Sequence, residues 1–145
     1  MYLDTCIIVK LLATEPDSEF FVQSLEGQAL TTSELASTEV FSALLARERA
    51  GKINAVERRL AWKEFEARIA NEEIKIEPLN SIVLRKARHC LEFCHPPAPL
   101  RTLDAIHLAT VDLCQDFPLV TTDARLSSAA RMMHIPVFPE PSPTI

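Results

Sequence analysis

The chain has 145 residues, of which 48% are hydrophobic and 24% charged, and its formal net charge is −5 at pH 7. This length and composition are typical of one compact globular domain and argue against an intrinsically disordered chain. The acidic balance argues against nucleic-acid binding through a broad basic surface. It remains compatible with an enzyme whose carboxylates hold metal ions.

The N-terminal sequence predicts a protein of the cytoplasm. No stretch approaches the roughly 20 apolar residues that a membrane-spanning helix needs. The N-terminus lacks the basic segment of a signal peptide, carries an acid at Asp4, and has Lys10 within its apolar run. The four cysteines lie mostly among apolar residues, which predicts reduced side chains in the core.

The run His89-Cys90-x3-Cys94-His95 contains residue types that bind zinc. Its spacing is not that of a zinc finger or zinc ribbon, and no second Cys/His pair follows at the expected interval. We therefore interpret these residues as packing residues, with a structural zinc site as the alternative.

Strands and helices alternate in the first half of the chain. We predict strands at 1–4 and 29–32 and helices at 5–13, 18–25, 34–50 and 54–71. Ser33 is a good N-cap for the third of these helices, and Gly51 is a signal for its C-terminus.

The alternation continues in the second half. We predict strands at 74–78, 118–121 and 136–138 and helices at 81–94, 102–114 and 125–133. The strand at 74–78 alternates like an edge strand, and a rigid Pro-rich loop covers 96–99. We expect one domain over 1–138 and an extended Pro-rich tail over 139–145. Strands alternating with helices predict an α/β fold with a parallel sheet and helices on both faces.

Two carboxylates close predicted strands. Asp4 ends the first strand, inside an apolar run where an ionised carboxylate is costly unless a cation or hydrogen-bond donors compensate it. Asp123 ends the strand Val120-Thr121-Thr122-Asp123 and is also a good N-cap for the helix that follows. Open α/β sheets bind their ligands at this end of their strands.

Two further acids lie in unusual places on helices. At about 100° per residue, Glu39 falls within the apolar stripe of its helix, so it needs a cationic partner, either a metal ion or a nearby arginine. Asp104 lies in the first turn of a helix that is apolar on nearly every side, where it could instead satisfy the helix N-terminus with Thr102 as N-cap. His107 lies about 60° away around that helix, where it could be the hydrogen-bond partner of Asp104, and we interpret it as a packed structural histidine instead of a catalytic one.

These four acids would repel one another if they met without a cation. Hard oxygen ligands of this kind suit Mg²⁺ or Mn²⁺. The residues themselves therefore favour a metal site, although each acid alone could also have a purely structural role.

The order of these acids resembles the PIN-domain ribonucleases, and the layout most resembles the VapC-type toxins of toxin–antitoxin pairs. The matching segments are Leu3-Asp4-Thr5, Ser37-Thr38-Glu39-Val40, Leu103-Asp104-Ala105-Ile106-His107-Leu108-Ala109 and Val120-Thr121-Thr122-Asp123. The resemblance implies a three-layer α/β/α fold with about five parallel strands, and RNA cleavage with Mg²⁺ or Mn²⁺. It also implies a homodimer and a cognate antitoxin whose C-terminal segment covers the acidic pocket.

The resemblance also implies roles for single residues. Asp4 and Asp104 would be the main metal ligands. Glu39 and Asp123 would complete the shell or orient the attacking water. The supporting hydroxyls would come from Thr5 and Thr121.

Arg101, just before the Asp104 helix, is the best candidate for a phosphate contact. The chain departs from the family at 133–136, where many relatives have a glycine before the last strand. This puts the geometry of that turn in doubt. The Pro-rich loop at 96–99 could also restrict access to the pocket from its side.

Four other classes of protein share part of this pattern. A receiver-type phosphoacceptor would need a late lysine, but the last lysine is Lys86. A haloacid-dehalogenase phosphatase would need a second Asp where Cys6 stands. A PIN-like RNA-processing nuclease without an antitoxin, or a non-catalytic PIN-like binding module, remains the alternative to a toxin. Loss of catalysis usually removes an acid, and all four are present.

Overall fold

A computed structural model describes residues 1–140, so the part of the predicted Pro-rich tail after Glu140 lies outside the described residues. The strands are β1 (Tyr2–Leu3), β2 (Leu30–Ser33), β3 (Ile74–Glu77), β4 (Leu119–Val120) and β5 (Val137–Phe138). The helices are α1 (Thr5–Leu12), α2 (Ser18–Leu25), α3 (Leu35–Arg49), α4 (Ala55–Ala70), α5 (Ser81–Cys94), α6 (Thr102–Cys114) and α7 (Ala124–Met132). Within residues 1–140, no helix is both long and apolar enough to cross a bilayer.

The strands form one parallel sheet in the order β3-β2-β1-β4-β5. This confirms the predicted α/β fold with a central parallel sheet of five strands, and it places β3 at an edge as its alternation predicts. Strand β1 lies in the centre, where Tyr2 pairs with Leu119 and Leu3 with Val120. The carboxyl end of β1, and with it Asp4, therefore lies in the middle of one edge of the sheet.

Neighbouring residues of each strand point to opposite faces of the sheet. Both faces therefore carry apolar side chains, and helices cover both of them. Tyr2 packs in a core cluster with α5, α6 and α7. Leu3 packs in a second cluster with the four helices α1 to α4. The molecule thus has the predicted three layers, with β1 contributing one side chain to each core.

Two predicted helix caps are replaced by neighbouring residues. Ser33 is the last residue of β2, although its hydroxyl still accepts a hydrogen bond from the Leu35 amide at 3.1 Å. Thr102 is the first residue of α6 rather than its N-cap, which is Arg101 with extended backbone angles. The Asp104 carboxylate accepts the Arg101 amide at 3.3 Å, so this acid does part of the capping.

The turn before β5 forms without glycine. His134 follows α7 with φ of 59°, the left-handed conformation that normally favours glycine. Its amide donates to the Arg131 carbonyl, and the Ile135 amide donates to the Ala130 carbonyl, both at 2.9 Å. These two bonds define a Schellman motif, so the turn forms with histidine in the left-handed position.

Candidate active site

The four predicted acids meet in one cleft of about 310 Å³ at the carboxyl edge of the sheet. Asp4 follows β1, Asp123 precedes α7, Glu39 lies in the second turn of α3, and Asp104 lies in the first turn of α6. The lining residues are Asp4, Thr5, Cys6, Glu39, Arg101, Asp104, Thr122 and Asp123. Four segments that are distant in sequence therefore supply one acidic site.

Two side chains donate hydrogen bonds to the same carboxylate oxygen of Asp4. Its side chain is almost fully buried, and its Oδ2 accepts hydrogen bonds from the Thr121 hydroxyl at 2.7 Å and the Cys6 thiol at 3.1 Å. Thr121 thus donates a hydrogen bond to one of the four acids. Its hydroxyl also accepts the Asp123 amide at 3.0 Å, which ties the two acids together.

Cys6 packs partly against the core, as predicted, and it also lines the cleft, which was not predicted. Its half-buried thiol faces the cleft and contacts Asp4. Burial and the neighbouring carboxylate raise the pKa of this thiol to about 11. The thiol therefore stays protonated near neutral pH and acts as a hydrogen-bond donor. Its position two residues after Asp4 was a signal for this contact.

Glu39 is held by a buried imidazole. Its Oε1 lies 2.5 Å from His107 Nε2 and accepts the Thr5 hydroxyl at 2.9 Å. The other ring nitrogen of His107, Nδ1, lies 2.8 Å from the Tyr2 hydroxyl. His107 is buried, as expected of a packed histidine, and it does not make the possible contact with Asp104, which is engaged by Arg101.

The contact between Glu39 and His107 favours the charged form of both groups. Burial alone would raise the pKa of Glu39, but His107, Thr5 and Arg101 outweigh it and lower that pKa. Burial alone would lower the pKa of His107, but Glu39 and the nearby acids raise it above its ordinary value. Glu39 lies on an apolar helix stripe and was expected to have a cationic partner. Within the protein that partner is His107 and not an arginine.

Arg101 bridges the other two acids. Its Nε donates to Asp104 Oδ2 at 3.0 Å, and its Nη2 donates to Asp123 Oδ2 at 3.4 Å. The other oxygen of Asp123 accepts the amides of Arg125 and Leu126 at 2.8 and 3.0 Å, so it caps α7 as predicted. The Arg101 side chain is 63% exposed, which leaves it able to move without disturbing the core.

The donors in this cleft suit a hard divalent cation, because they are carboxylate and hydroxyl oxygens. Within residues 1–140, no three acidic, histidine or cysteine side chains already converge on one point as metal ligands. In the described structure, Arg101 pairs with Asp104 and Asp123, while Thr121 and Cys6 donate hydrogen bonds to Asp4. The chemistry of these donors suits such an ion, and an ion held by Asp104 and Asp123 would have to replace the contacts of Arg101.

A groove of about 690 Å³ between α1 and α3 continues from the cleft. Its lining includes Thr5, Cys6, Glu39 and Thr122, which also line the cleft. At its far end, Glu15 pairs with both Lys10 and Arg47. Those two cations are therefore largely neutralised by neighbouring acids.

A separate cavity of about 710 Å³ contains part of the Cys/His run. Cys90 and Cys94 are fully buried, as expected of packing residues, whereas His89 and His95 are exposed and do not pack in the core. Burial raises the pKa of the Cys90 thiol to about 11. Across the described part of the chain, these residues form no cluster of three metal ligands.

Comparison with known proteins gives matches over most of the chain. The family model of the PIN domain matches residues 1–132. Ribonuclease VapC46 of Mycobacterium tuberculosis (strain ATCC 25618 / H37Rv) is 34% identical over 144 residues, which cover 95% of each chain. Ribonuclease VapC47 of Mycobacterium tuberculosis (strain CDC 1551 / Oshkosh) is 32% identical over 138 residues, or 90% of each chain.

Two solved structures share the fold. FitAcB from Neisseria gonorrhoeae superimposes with a TM-score of 0.72 at 18% identity, covering 94% of this chain and 95% of that one. A toxin–antitoxin complex from Klebsiella pneumoniae gives a TM-score of 0.55 at 18% identity, covering 84% and 85%. At these identities the two structures establish similarity of fold.

Proposed function

The chain belongs to the PIN-domain family, and from this premise we propose that it is a metal-dependent endoribonuclease acting as the toxin of a toxin–antitoxin pair. The observation that carries the proposal is the meeting of Asp4, Glu39, Asp104 and Asp123 in one cleft. The names of the two ribonuclease relatives support RNA as the substrate. The toxin–antitoxin complex of similar fold supports an antitoxin as the partner.

Asp4 and Asp104 would be the main ligands of a Mg²⁺ or Mn²⁺ ion, and Glu39 and Asp123 would complete the shell or orient water. A bound divalent cation supplies a water nucleophile near neutral pH. The protein's own contribution is to hold the acids in place. Thr121 and Cys6 hold Asp4 by one oxygen, and Thr5 and His107 hold Glu39 by one oxygen.

Arg101 is proposed to contact an RNA phosphate. Its guanidinium already lies at the rim of the cleft, and a guanidinium released from two carboxylates is suited to a phosphate in the same place. The cognate antitoxin would cover this cleft with its C-terminal segment. We also propose that the chain forms a homodimer and acts in the cytoplasm.

The proposal is tested with two variants of the cleft, Asp4→Asn and Asp104→Asn. Each is expected to abolish Mg²⁺- or Mn²⁺-dependent cleavage of RNA while leaving the circular dichroism spectrum unchanged. The matched control is Asp112→Asn, which makes the same change on α6 outside the cleft, where Asp112 pairs with Lys86. Cleavage that survives in either cleft variant, or in EDTA, would contradict the metal-carboxylate site.

Expression without an antitoxin separates the toxin from a non-catalytic binding module. The intact chain is expected to arrest growth, and Asp4→Asn combined with Asp104→Asn is expected to relieve the arrest. A double variant that remains equally toxic would point to binding instead of cleavage. An intact chain that cleaves RNA without arresting growth would favour an RNA-processing nuclease.

A further inference from the structure

We propose that His107 and Tyr2 are positioning residues for Glu39, which they hold by Oε1 so that Oε2 is left for a ligand in the cleft. This inference rests on the proposed nuclease function of the same cleft. It concerns a buried row of side chains that runs beneath the acids, from the Tyr2 hydroxyl through the His107 ring to the Glu39 carboxylate and the Thr5 hydroxyl.

The geometry of the row fixes one oxygen of Glu39. His107 Nε2 lies 2.5 Å from Oε1, and the Thr5 hydroxyl donates to the same atom at 2.9 Å. Two donors on one carboxylate oxygen restrict the rotation of the carboxylate. Glu39 itself remains in the lining of the cleft, with 21% of its side chain exposed.

The Tyr2 hydroxyl fixes the imidazole in turn. It lies 2.8 Å from His107 Nδ1, and the two rings meet edge to face with centroids 5.9 Å apart. Since Nδ1 and Nε2 are both engaged, the ring cannot rotate without losing both contacts. In metal sites, the side chains that hydrogen-bond a ligand orient that ligand, and we assign this role to His107 for Glu39.

Burial excludes a direct role for either residue in the reaction. Tyr2 is fully buried and His107 is 2% exposed, and neither lines the cleft. Neither residue is therefore placed to touch RNA. They act on the site only through Glu39.

The row also joins the elements that carry three of the acids. Tyr2 precedes Asp4 by two residues, His107 follows Asp104 by three on α6, and Glu39 lies on α3. The contacts span 105 and 68 residues of sequence. Through its two ring nitrogens, His107 on α6 thus contacts β1 and α3, so the row ties together the segments that carry Asp4, Glu39 and Asp104.

The main test compares His107→Leu with Val111→Ala. Val111 is fully buried one turn further along α6, so its variant weakens the same core without touching Glu39. His107→Leu is expected to weaken Mn²⁺ binding, measured by electron paramagnetic resonance on the full chain, by about 10- to 100-fold. Its kcat for RNA should fall with little change in KM, and Val111→Ala should bind Mn²⁺ like the intact protein.

Rescue by a conservative variant separates positioning from packing. The amide of His107→Gln can still donate to Glu39, so this variant should recover a large part of the Mn²⁺ affinity lost in His107→Leu. Tyr2→Phe keeps the ring and removes only the hydroxyl on Nδ1, and it should weaken Mn²⁺ binding by a few-fold. This variant keeps the proposal testable if His107→Leu does not fold.

A proton NMR spectrum of the metal-free protein gives an independent readout. The buried imidazole N–H protons are expected as slowly exchanging, low-field signals that shift in Tyr2→Phe and stay in place in Val111→Ala. Unchanged signals in Tyr2→Phe would overturn the contact between Tyr2 and His107.

The positioning role is overturned if His107→Leu binds Mn²⁺ and cleaves RNA like the intact protein, or if Val111→Ala loses as much of both. The proposed function fails differently, since the intact protein itself would then neither bind Mn²⁺ nor cleave RNA. The two failures are therefore distinguishable in one set of measurements.

Discussion

The two halves of the acidic cleft are held in opposite ways. Asp104 and Asp123 share an arginine whose side chain is 63% exposed. Asp4 and Glu39 are held from inside the protein, by Thr121 and Cys6 in one case and by Thr5 and His107 in the other. We call these pairs the outer half and the inner half of the cleft.

The difference teaches which part of the site is fixed and which can change. An exposed ion pair contributes little to stability and can break at little cost. A buried hydrogen bond is costly to break, because it leaves a polar group without its partner. The inner half is therefore built into the fold, whereas the outer half can exchange Arg101 for a ligand.

The largest expected effect is on the free energy of unfolding, and it is measured by comparing the variants His107→Leu and Arg101→Ala. His107→Leu should lower the free energy of unfolding by about 2–3 kcal/mol, because it leaves buried polar groups of the inner half without a partner. Arg101→Ala should leave the free energy of unfolding unchanged within error. Urea unfolding in EDTA measures both, and equal losses would break the distinction between the halves.

The second effect distinguishes two adjacent threonines. Thr121→Val removes the hydroxyl that donates to Asp4 and accepts the Asp123 amide, and should lower the free energy of unfolding by about 1–2 kcal/mol. Thr122 is exposed and its hydroxyl contacts only the Cys6 thiol among the described hydrogen bonds, so Thr122→Val is the matched control. Thermal unfolding of the two variants under one buffer condition makes the comparison, and a loss in the control alone would contradict it.

The third effect concerns the outer half and the metal. Removing the guanidinium in Arg101→Ala frees Asp104 and Asp123, so Mn²⁺ should bind a few-fold more tightly at low ionic strength. The KM for RNA should rise if the same guanidinium contacts a phosphate. Calorimetric titration measures the first change and steady-state kinetics the second. Weaker Mn²⁺ binding would mean that Arg101 orders these acids instead of competing for them.

The smallest effect on the site itself is expected from the Cys6 thiol, whose state is read from its reactivity. With a pKa of about 11, only about one thiol in a thousand is ionised at pH 8. Alkylation of Cys6 by iodoacetamide should then be roughly 100-fold slower in the folded protein than in the denatured chain, and should speed up about tenfold per pH unit. Peptide mass spectrometry follows the modification. Fast alkylation at pH 8 would show that the thiol is ionised, and Cys6 could then not donate a hydrogen bond to Asp4.

The sequence predicts the acids better than it predicts their partners. Asp4 and Glu39 are recognisable because a carboxylate in an apolar strand or on an apolar helix stripe contradicts the pattern around it. The alternation of strands with helices along the chain equally predicts a parallel sheet. It also predicts that the cleft lies at the carboxyl edge of that sheet. These are properties of single elements, which periodicity describes.

The row Tyr2–His107–Glu39 could not be predicted in this way. Periodicity assigns a residue to a face of its element but does not say which residue of another element it meets. It pairs His107 with Asp104, its neighbour on the same helix, although the true partners of His107 lie 68 and 105 residues away. Within its apolar run, Tyr2 likewise shows no sign of the polar contact that it makes.

The brevity of β1 has a consequence for tolerated changes of chain length. With only Tyr2 and Leu3 in the strand, each of the two cores receives one side chain, and Asp4 follows immediately. Inserting or deleting a single residue here would exchange the two side chains between the cores and turn Asp4 away from the cleft. Length variation among homologous chains is therefore expected in loops such as 95–101 and strongly selected against within the first four residues.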